Sequence, residues 1–213
     1  MRTTALSFLI LFLIPVNTFA QNAIFRAYNF ECSQLFDIEL KKPKGFKVIN
    51  GTTPFRVNEK DNIGTLYRMT LSSKAKDCLI LFPYFFTHRH HECVAKTMVY
   101  EEVKSALNSL PGGKSLEQDA SKYIRMITNE NMENYFNADT VFIYRVPFLK
   151  PYKEVYNECI GINIIKKGHP SAMIKILFKD ECEKKEEYMQ QLFESVCYSD
   201  VAPNYEERKK KKR

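Results

Sequence analysis

The sequence predicts an α+β protein, in which an antiparallel sheet is flanked by helices and supported by disulfides. The first reason is the order of the predicted elements: a block of strands, a block of helices, a second block of strands and a last helix. The second is a predicted hairpin, in which Lys153–Ile165 and Ala172–Phe178 alternate apolar and other residues on either side of a turn. The third is a set of six cysteines behind an export signal, the setting in which disulfides form.

Further strands are predicted where apolar runs lie between turn-forming stretches. The fold should be built around the run Leu79 to Phe86, which is apolar apart from Pro83 and the hydroxyl of Tyr84. An unbroken apolar run of this length is typical of a strand buried on both faces. The predicted strands besides the hairpin are Phe36–Leu40, Phe46–Ile49, Phe55–Val57, Thr65–Leu71, Cys78–Phe86 and Thr140–Val146.

The first predicted helix is Val94–Leu110, which ends at Pro111-Gly112-Gly113. Glu101 and Glu102 should lie on its solvated side. The expected buried stripe consists of Val94, Met98, Val103, Leu107 and Leu110.

Two more helices are predicted from capping patterns. Ser115 followed by Gln118 is a capping box, and apolar residues at helical spacing continue to Ile127. Asp180 is predicted to cap the last helix, whose stripe includes Cys182 and Leu192. His169 falls in the turn of the predicted hairpin, where it should be exposed.

Residues 1–20 have the parts of a secretory signal peptide: a basic start at Arg2, the apolar run Ala5–Ile14, and Thr18-Phe19-Ala20 before the expected cleavage. Residues 21–200 are then one domain, and residues 201–213 a polybasic, disordered tail. Since the first cysteine after the expected cleavage is Cys32, lipidation of the new N-terminus is not expected. The mature chain should be soluble and either secreted or periplasmic.

The positive charge is concentrated in the tail. The formal net charge is +7, but without the last six residues and Arg2 the basic and acidic residues balance. This block could bind an anionic surface such as phospholipid headgroups, although a solvated end is the simpler interpretation; no specific nucleic acid is expected. Its residues are Arg208, Lys209, Lys210, Lys211, Lys212 and Arg213.

In an exported chain the cysteines are disulfide candidates, with 15 complete pairings open. We expect Cys78–Cys93 as a local loop, Cys159–Cys182 between a strand and the last helix, and Cys32–Cys197 between the two ends of the fold. Spacing alone does not fix these pairs.

His88, His90 and His91 form a candidate metal site for Zn or Cu. In an extended segment His88 and His90 project to the same side, but Arg89 places a positive charge among them. The simpler interpretation is a polar surface segment after a buried strand.

The stretch FDIELKKPKGF (36–46) and the later order of helix, strand, long hairpin and C-terminal helix resemble PsbP-like proteins. The resemblance covers most of residues 34–199 in element order. It implies an antiparallel sheet between helices and a non-enzymatic binding or assembly role, with no catalytic residues. The chain departs from the family in having no Trp near the turn.

These observations favour an exported, non-enzymatic module that binds an unidentified protein or envelope partner. The alternatives are a metal-binding protein that uses the three histidines, and a secreted hydrolase. The hydrolase lacks support because the chain has no Gly-x-Ser-x-Gly, and paired cysteines would leave no thiol nucleophile. Asn50-Gly51-Thr52 is a glycosylation sequon if the host secretes through an endoplasmic reticulum, but a turn built on Asn-Gly is the favoured interpretation.

Overall fold

The computed structural model describes residues 22–56, 64–84, 92–111, 119–128 and 133–199. Within these ranges the chain is α+β with antiparallel sheets, as predicted. In chain order the elements are α1 (22–36), β1 (Ile38–Leu40), β2 (Phe46–Asn50), β3 (Thr53–Arg56), β4 (Gly64–Ser73), β5 (Cys78–Pro83), α2 (Glu92–Ser109), a 3-10 helix (Ala120–Tyr123), β6 (Ile124–Thr128), α3 (Glu133–Phe136), β7 (Thr140–Arg145), β8 (Glu158–Ile165), β9 (Ala172–Phe178), α4 (Lys185–Phe193) and β10 (Val196–Tyr198).

The described strands form one large sheet and one small one. The large sheet has the order β2-β4-β5-β9-β8-β7-β6, and β3 also pairs with β4. The small sheet pairs β1 with β10. The predicted hairpin is β8–β9, but its first strand starts at Glu158 and not at Lys153, because Lys153 and Glu154 have positive φ and belong to a turn. The buried central strand is confirmed, since β5 is buried at all six positions near the centre of the sheet.

Two cores lie on the two faces of the large sheet because alternate strand residues point in opposite directions. The α2-side core includes Leu79, Leu81, Val99, Phe142 and Leu177. The α4-side core includes Ile80, Phe82, Ile162, Ile176 and Tyr188. A sheet covered on both faces explains why β5, β8 and β9 are apolar at nearly every position.

Helix α1 was not predicted as a helix. Tyr28, Cys32 and Phe36 recur every four residues and are buried in the α4-side core, while Phe30 is 67% exposed on the opposite side. The predicted strand at Phe36–Leu40 starts only at Ile38, since the helix continues to residue 36.

The predicted helix from Ser115 to Ile127 is wrong in its described part. Residues Ala120–Tyr123 form a 3-10 helix and Ile124–Thr128 form β6, which pairs with β7 over five residues. The β-branched residues Ile124, Ile127 and Thr128 favour this edge strand over a helix. The last helix is also shorter than predicted, because its N-cap is Lys184 and not Asp180.

The expected buried stripe of α2 is partly wrong. Val103 and Leu107 are buried, whereas Val94 and Met98 are each 41% exposed. Ala95 and Val99 occupy the buried positions instead, one residue further along the chain.

The expected cysteine pairs are not formed between described residues. Cys32, Cys78, Cys159 and Cys182 carry free thiols. Cys159 lies in the α2-side core whereas Cys182 packs against the α4-side core, so the sheet separates them. Cys197 alternates with the buried residues of β10 and faces away from the core that contains Cys32. The side chain of Cys93 lies outside the described residues.

Helices long and apolar enough to cross a bilayer do not occur among the described residues. The predicted signal peptide and the polybasic tail lie outside them, and export stays a prediction.

Candidate functional site

A buried charged cluster lies between the sheet and α2. The strand registers place Tyr144 beside Gly161, Gly161 beside Lys175, and Lys175 beside Leu81, in one row across the α2-facing side of the sheet. Helix α2 packs over this row and directs Glu102 toward it. Lys175 is fully buried and Glu102 is 8% exposed.

The three side chains form a closed triangle of hydrogen bonds. The Lys175 ammonium donates to Glu102 Oε2 at 2.6 Å and to the Tyr144 hydroxyl at 2.5 Å. The Tyr144 hydroxyl in turn donates to Glu102 Oε2 at 2.7 Å. The ammonium also lies 4.3 Å from the centre of the Tyr144 ring, a cation–π contact. Each charge is therefore paired in the interior, as buried ions must be.

Burial keeps the neighbouring acids of this cluster protonated. Burial, and next the Glu102 carboxylate, raise the pKa of Tyr144 well above its usual value, so its hydroxyl remains a donor. Burial likewise raises the pKa of the Cys159 thiol, although Lys175 opposes this. A protonated thiol and an ammonium group that is paired with a carboxylate are poor nucleophiles. The cluster holds α2 against the sheet through the hydrogen bonds of Glu102 to Lys175 and Tyr144.

The row next to this cluster contains a buried amide. Asn163 of β8 is fully buried, and neither its side-chain oxygen nor its nitrogen has a hydrogen-bond partner. It lies between Phe142 of β7 and Met173 of β9, and Met126 of β6 continues the row to the edge of the sheet. Met126 is 51% exposed.

Strand β6 is the outermost strand on its side of the sheet, and no described strand pairs with its outer edge. Val146, just past β7, donates its N–H to Cys159 at 2.9 Å. In an antiparallel sheet the backbone N–H and C=O groups of successive residues point to opposite neighbouring strands. Even-numbered residues of β7 therefore hydrogen-bond to β8, and odd-numbered residues hydrogen-bond to β6. Given the register, Arg125 and Ile127 bond β7, while Met126 directs its N–H and C=O outward.

The opposite edge of the sheet consists of β2 and β3, which pair with different parts of β4, and it is closed at β3. Pro54 has no N–H, and its carbonyl accepts a hydrogen bond from the Tyr152 hydroxyl at 3.1 Å. Tyr152 and Phe148 of the β7–β8 connection also pack on Phe55. Natural sheets protect edges in this way, and the contrast with β6 makes β6 the candidate functional site.

The predicted metal site lies outside the described residues. His88, His90 and His91 belong to residues 85–91, between the end of β5 and the start of α2. The described residue before them, Tyr84, lies beneath the Arg68 guanidinium, 5.7 Å from the ring centre. Among the described residues no cluster of His, Cys, Asp and Glu could hold a metal ion, and the histidine site stays a prediction.

Two predicted surface residues are buried. Glu102 is part of the charged cluster, not of a solvated pair. His169 is 5% exposed, because its ring packs on Tyr198 at 5.3 Å between centres and donates to the backbone of Phe36. The prediction that His169 is exposed in its turn is wrong.

Lys175 and its partners were not predicted as a site. One feature of the sequence could have identified Lys175. It shares a face of β9 with the apolar Leu177, which indicates that this face of the strand is covered as well as the face that carries Ile174 and Ile176. A lysine on a covered face requires an anion, and Glu102 lies at helical spacing with the buried Val99 and Ala106.

No protein-family model and no curated protein matches the sequence of this chain.

Proposed function

We propose that the chain is an exported, non-enzymatic assembly module that binds an extended segment of a protein partner along β6. The observation that carries the proposal is the contrast between β6 and β3, which lie at opposite edges of the large sheet. Pro54 and Tyr152 close the β3 part of one edge, while β6 directs backbone donors and acceptors outward beside the 51% exposed side chain of Met126. Addition of a strand to such an edge is a common mode of peptide recognition.

The chemistry of β6 defines the partner segment. Backbone hydrogen bonds supply affinity without regard to sequence, and side chains at alternate positions supply specificity. Met126 favours an apolar residue opposite it, and the exposed Arg125 favours an acidic residue on the other face of the added strand.

A second copy of the chain also meets these requirements. If two β6 strands pair in antiparallel fashion through Met126, Arg125 lies opposite Ile127 and no like charges meet. A protein with a different sequence and a second copy are therefore two outcomes of one experiment.

Two further expectations belong to the same proposal. The antiparallel sheet with helices on both faces supports a PsbP-like architecture, which fits an assembly role. The predicted signal peptide and the terminal basic block would place the module outside the cytoplasm, near an anionic envelope surface.

The test is site-specific photocrosslinking of the full chain in its own host. The photoreactive residue p-benzoylphenylalanine replaces Arg125, whose side chain flanks the open edge. Two second-site variants separate backbone from side chain: Met126→Pro removes the outward N–H, and Met126→Thr keeps it. A control places the photoreactive residue at Leu149, which is 54% exposed in the β7–β8 connection.

We expect one defined adduct from position 125 that persists in Met126→Thr and falls at least about tenfold in Met126→Pro, the loss expected when backbone pairing carries the affinity. An adduct of twice the chain mass would identify a second copy as the partner. An adduct that survives Met126→Pro unchanged contradicts the proposal. Adducts at position 149 without any at position 125 contradict it equally.

A further inference from the structure

The turn between β9 and α4 brings Cys182 to the start of β5. Phe178, the last residue of β9, pairs directly with Cys78, the first residue of β5. Lys179 then donates its N–H to the carbonyl of Asp77 at 2.9 Å. The chain reverses at Glu181, which has a positive φ of 57°, and reaches Cys182.

Cys78 and Cys182 both lie beside the carboxylate of Asp77. Burial and then this carboxylate raise the pKa of the Cys182 thiol, and Cys78 is the next residue along the chain. The carboxylate also accepts from Ser73 at 2.6 Å and from Tyr188 at 3.2 Å, which fixes its position. Both sulfurs belong to the α4 side of the sheet, where Cys78 is part of the core and Cys182 packs against it.

We propose that Cys78 and Cys182 form a disulfide when the exported chain meets a low-molecular-weight disulfide such as glutathione disulfide. This bond would join the start of β5 to the turn before α4. It replaces the pairings expected from spacing, in which Cys78 bonded Cys93 and Cys182 bonded Cys159.

The positions of the other described cysteines favour this pair. Cys159 lies on the opposite side of the sheet. Cys32 is fully buried in α1 and interacts with Tyr28. Cys197 projects from β10 away from the core. Only Cys78 and Cys182, among the described cysteines, share a neighbouring carboxylate and a core face.

The exposure of the two thiols sets the order of the reaction. Cys182 is partly exposed and can meet the oxidant, while Cys78 is fully buried. The Cys182 thiolate attacks one sulfur of glutathione disulfide, forms a mixed disulfide and releases one glutathione thiolate. The Cys78 thiolate then attacks the Cys182 sulfur and releases the second glutathione. The protein loses two protons and two electrons, and glutathione disulfide gains both.

The rate should rise with pH. Burial raises the pKa of the Cys78 thiol. Burial and then Asp77 raise the pKa of Cys182. The thiolate is the attacking species, so both steps accelerate as the solution becomes more alkaline.

The test incubates the full chain, purified without reductant, with glutathione disulfide at pH 8.5. Free thiols are then blocked and the digested chain is mapped by mass spectrometry. Cys78→Ser removes the resolving thiol and Cys182→Ser removes the attacking one. Cys197→Ser is the matched control, because it removes another partly exposed thiol.

We expect a peptide cross-link between Cys78 and Cys182 in the parent chain and in Cys197→Ser. Cys78→Ser should instead accumulate glutathione on Cys182, and Cys182→Ser should leave Cys78 reduced. Stable glutathione on Cys182 of the parent chain overturns the proposal, because it shows that Cys78 cannot reach the mixed disulfide. A cross-link of either residue to another cysteine, or two reduced thiols while Cys197 reacts, also overturns it.

Discussion

The ammonium of Lys175 and the carboxylate of Glu102 lie 2.6 Å apart in the interior, with side chains 0% and 9% exposed. This pair connects β9 to α2, elements that are far apart in the chain. Tyr144 completes it with hydrogen bonds to both groups. Two strands, β7 and β9, and helix α2 are thus joined by one polar cluster within an apolar layer.

Removal of one charge from this pair should be costly. Lys175→Met leaves the Glu102 carboxylate buried without its cation, so we expect the free energy of unfolding to fall by about 3–5 kcal/mol. Denaturant unfolding measures this change. The triple variant Lys175→Met, Glu102→Leu, Tyr144→Phe removes every polar partner together and should recover most of the loss.

An exposed pair provides the control for this prediction. Lys184 lies 4.0 Å from Glu187, with side chains 61% and 55% exposed. Lys184→Met should change the unfolding free energy by less than about 0.5 kcal/mol, since solvent screens such pairs. Equal losses from the two Lys→Met changes would mean that the buried pair contributes nothing specific.

Gly161 is the second critical position, because a Cβ atom there would overlap the ring of Tyr144. The hydroxyl of that ring is held by Lys175 and Glu102, so the ring cannot move aside freely. We expect Gly161→Ala to destabilise the fold by about 1–3 kcal/mol. Thermal or denaturant unfolding measures the loss.

A double-mutant cycle identifies the cause of this loss. In a Tyr144→Leu background, Gly161→Ala should cost at least about 1 kcal/mol less than in the parent chain, because the two positions touch. Gly51→Ala is the control, since nothing lies within 4 Å of a Cβ at Gly51. Identical costs in the two backgrounds would refute the steric explanation.

His169 should make stability depend on pH. Burial lowers its pKa from the usual 6.5, because protonation would place a charge at a ring nitrogen, Nδ1, that has no hydrogen-bond partner. The unfolded chain therefore binds a proton at higher pH than the folded chain does. The contribution is fully present above pH 6.5 and is lost as the pH falls through 6.5 toward the lower folded value.

The comparison variant is His169→Gln, which is neutral at every pH and can still donate to Phe36. We expect the loss of unfolding free energy between pH 7.5 and pH 5 to be smaller in this variant than in the parent chain. Asp37, Asp139 and Lys166 also act on His169 and are common to both proteins. If the parent chain lost less unfolding free energy than His169→Gln between pH 7.5 and pH 5, the pKa of His169 would not be lowered by folding, and the explanation would be wrong.

Local pattern predicted most of the central sheet. The apolar run at Cys78–Pro83 and the alternating hairpin of β8 and β9 are strands because their side chains fill two cores. Segments near the edge were harder: Ile124–Thr128 has apolar residues compatible with a helix, and only its register with β7 makes it a strand. Helix α1 was missed because Tyr28, Cys32 and Phe36 form a narrow stripe without a capping signal.

The candidate site depended on contacts between distant residues, which spacing cannot reveal. From sequence alone, a glutamate and a lysine are expected on the surface. Only the packing of α2 on the sheet shows that Glu102 and Lys175 are buried. The open edge of β6 likewise follows from the order of the strands in the sheet. The residues Ile124–Thr128 alone do not indicate that no described strand pairs with the outer side of β6. The histidines were visible in the sequence, but His88, His90 and His91 lie outside the described residues.

Amide hydrogen exchange of the full chain, followed by NMR, measures whether β6 offers an open backbone edge. Arg125 and Ile127 donate to β7 and should exchange slowly, whereas Met126 directs its N–H outward and should exchange much faster, by at least about a hundredfold. The protein should be measured alone at low concentration, so that no partner protects the edge. Exchange of Met126 as slow as that of its two neighbours would show that the edge is already covered and would contradict the proposed function.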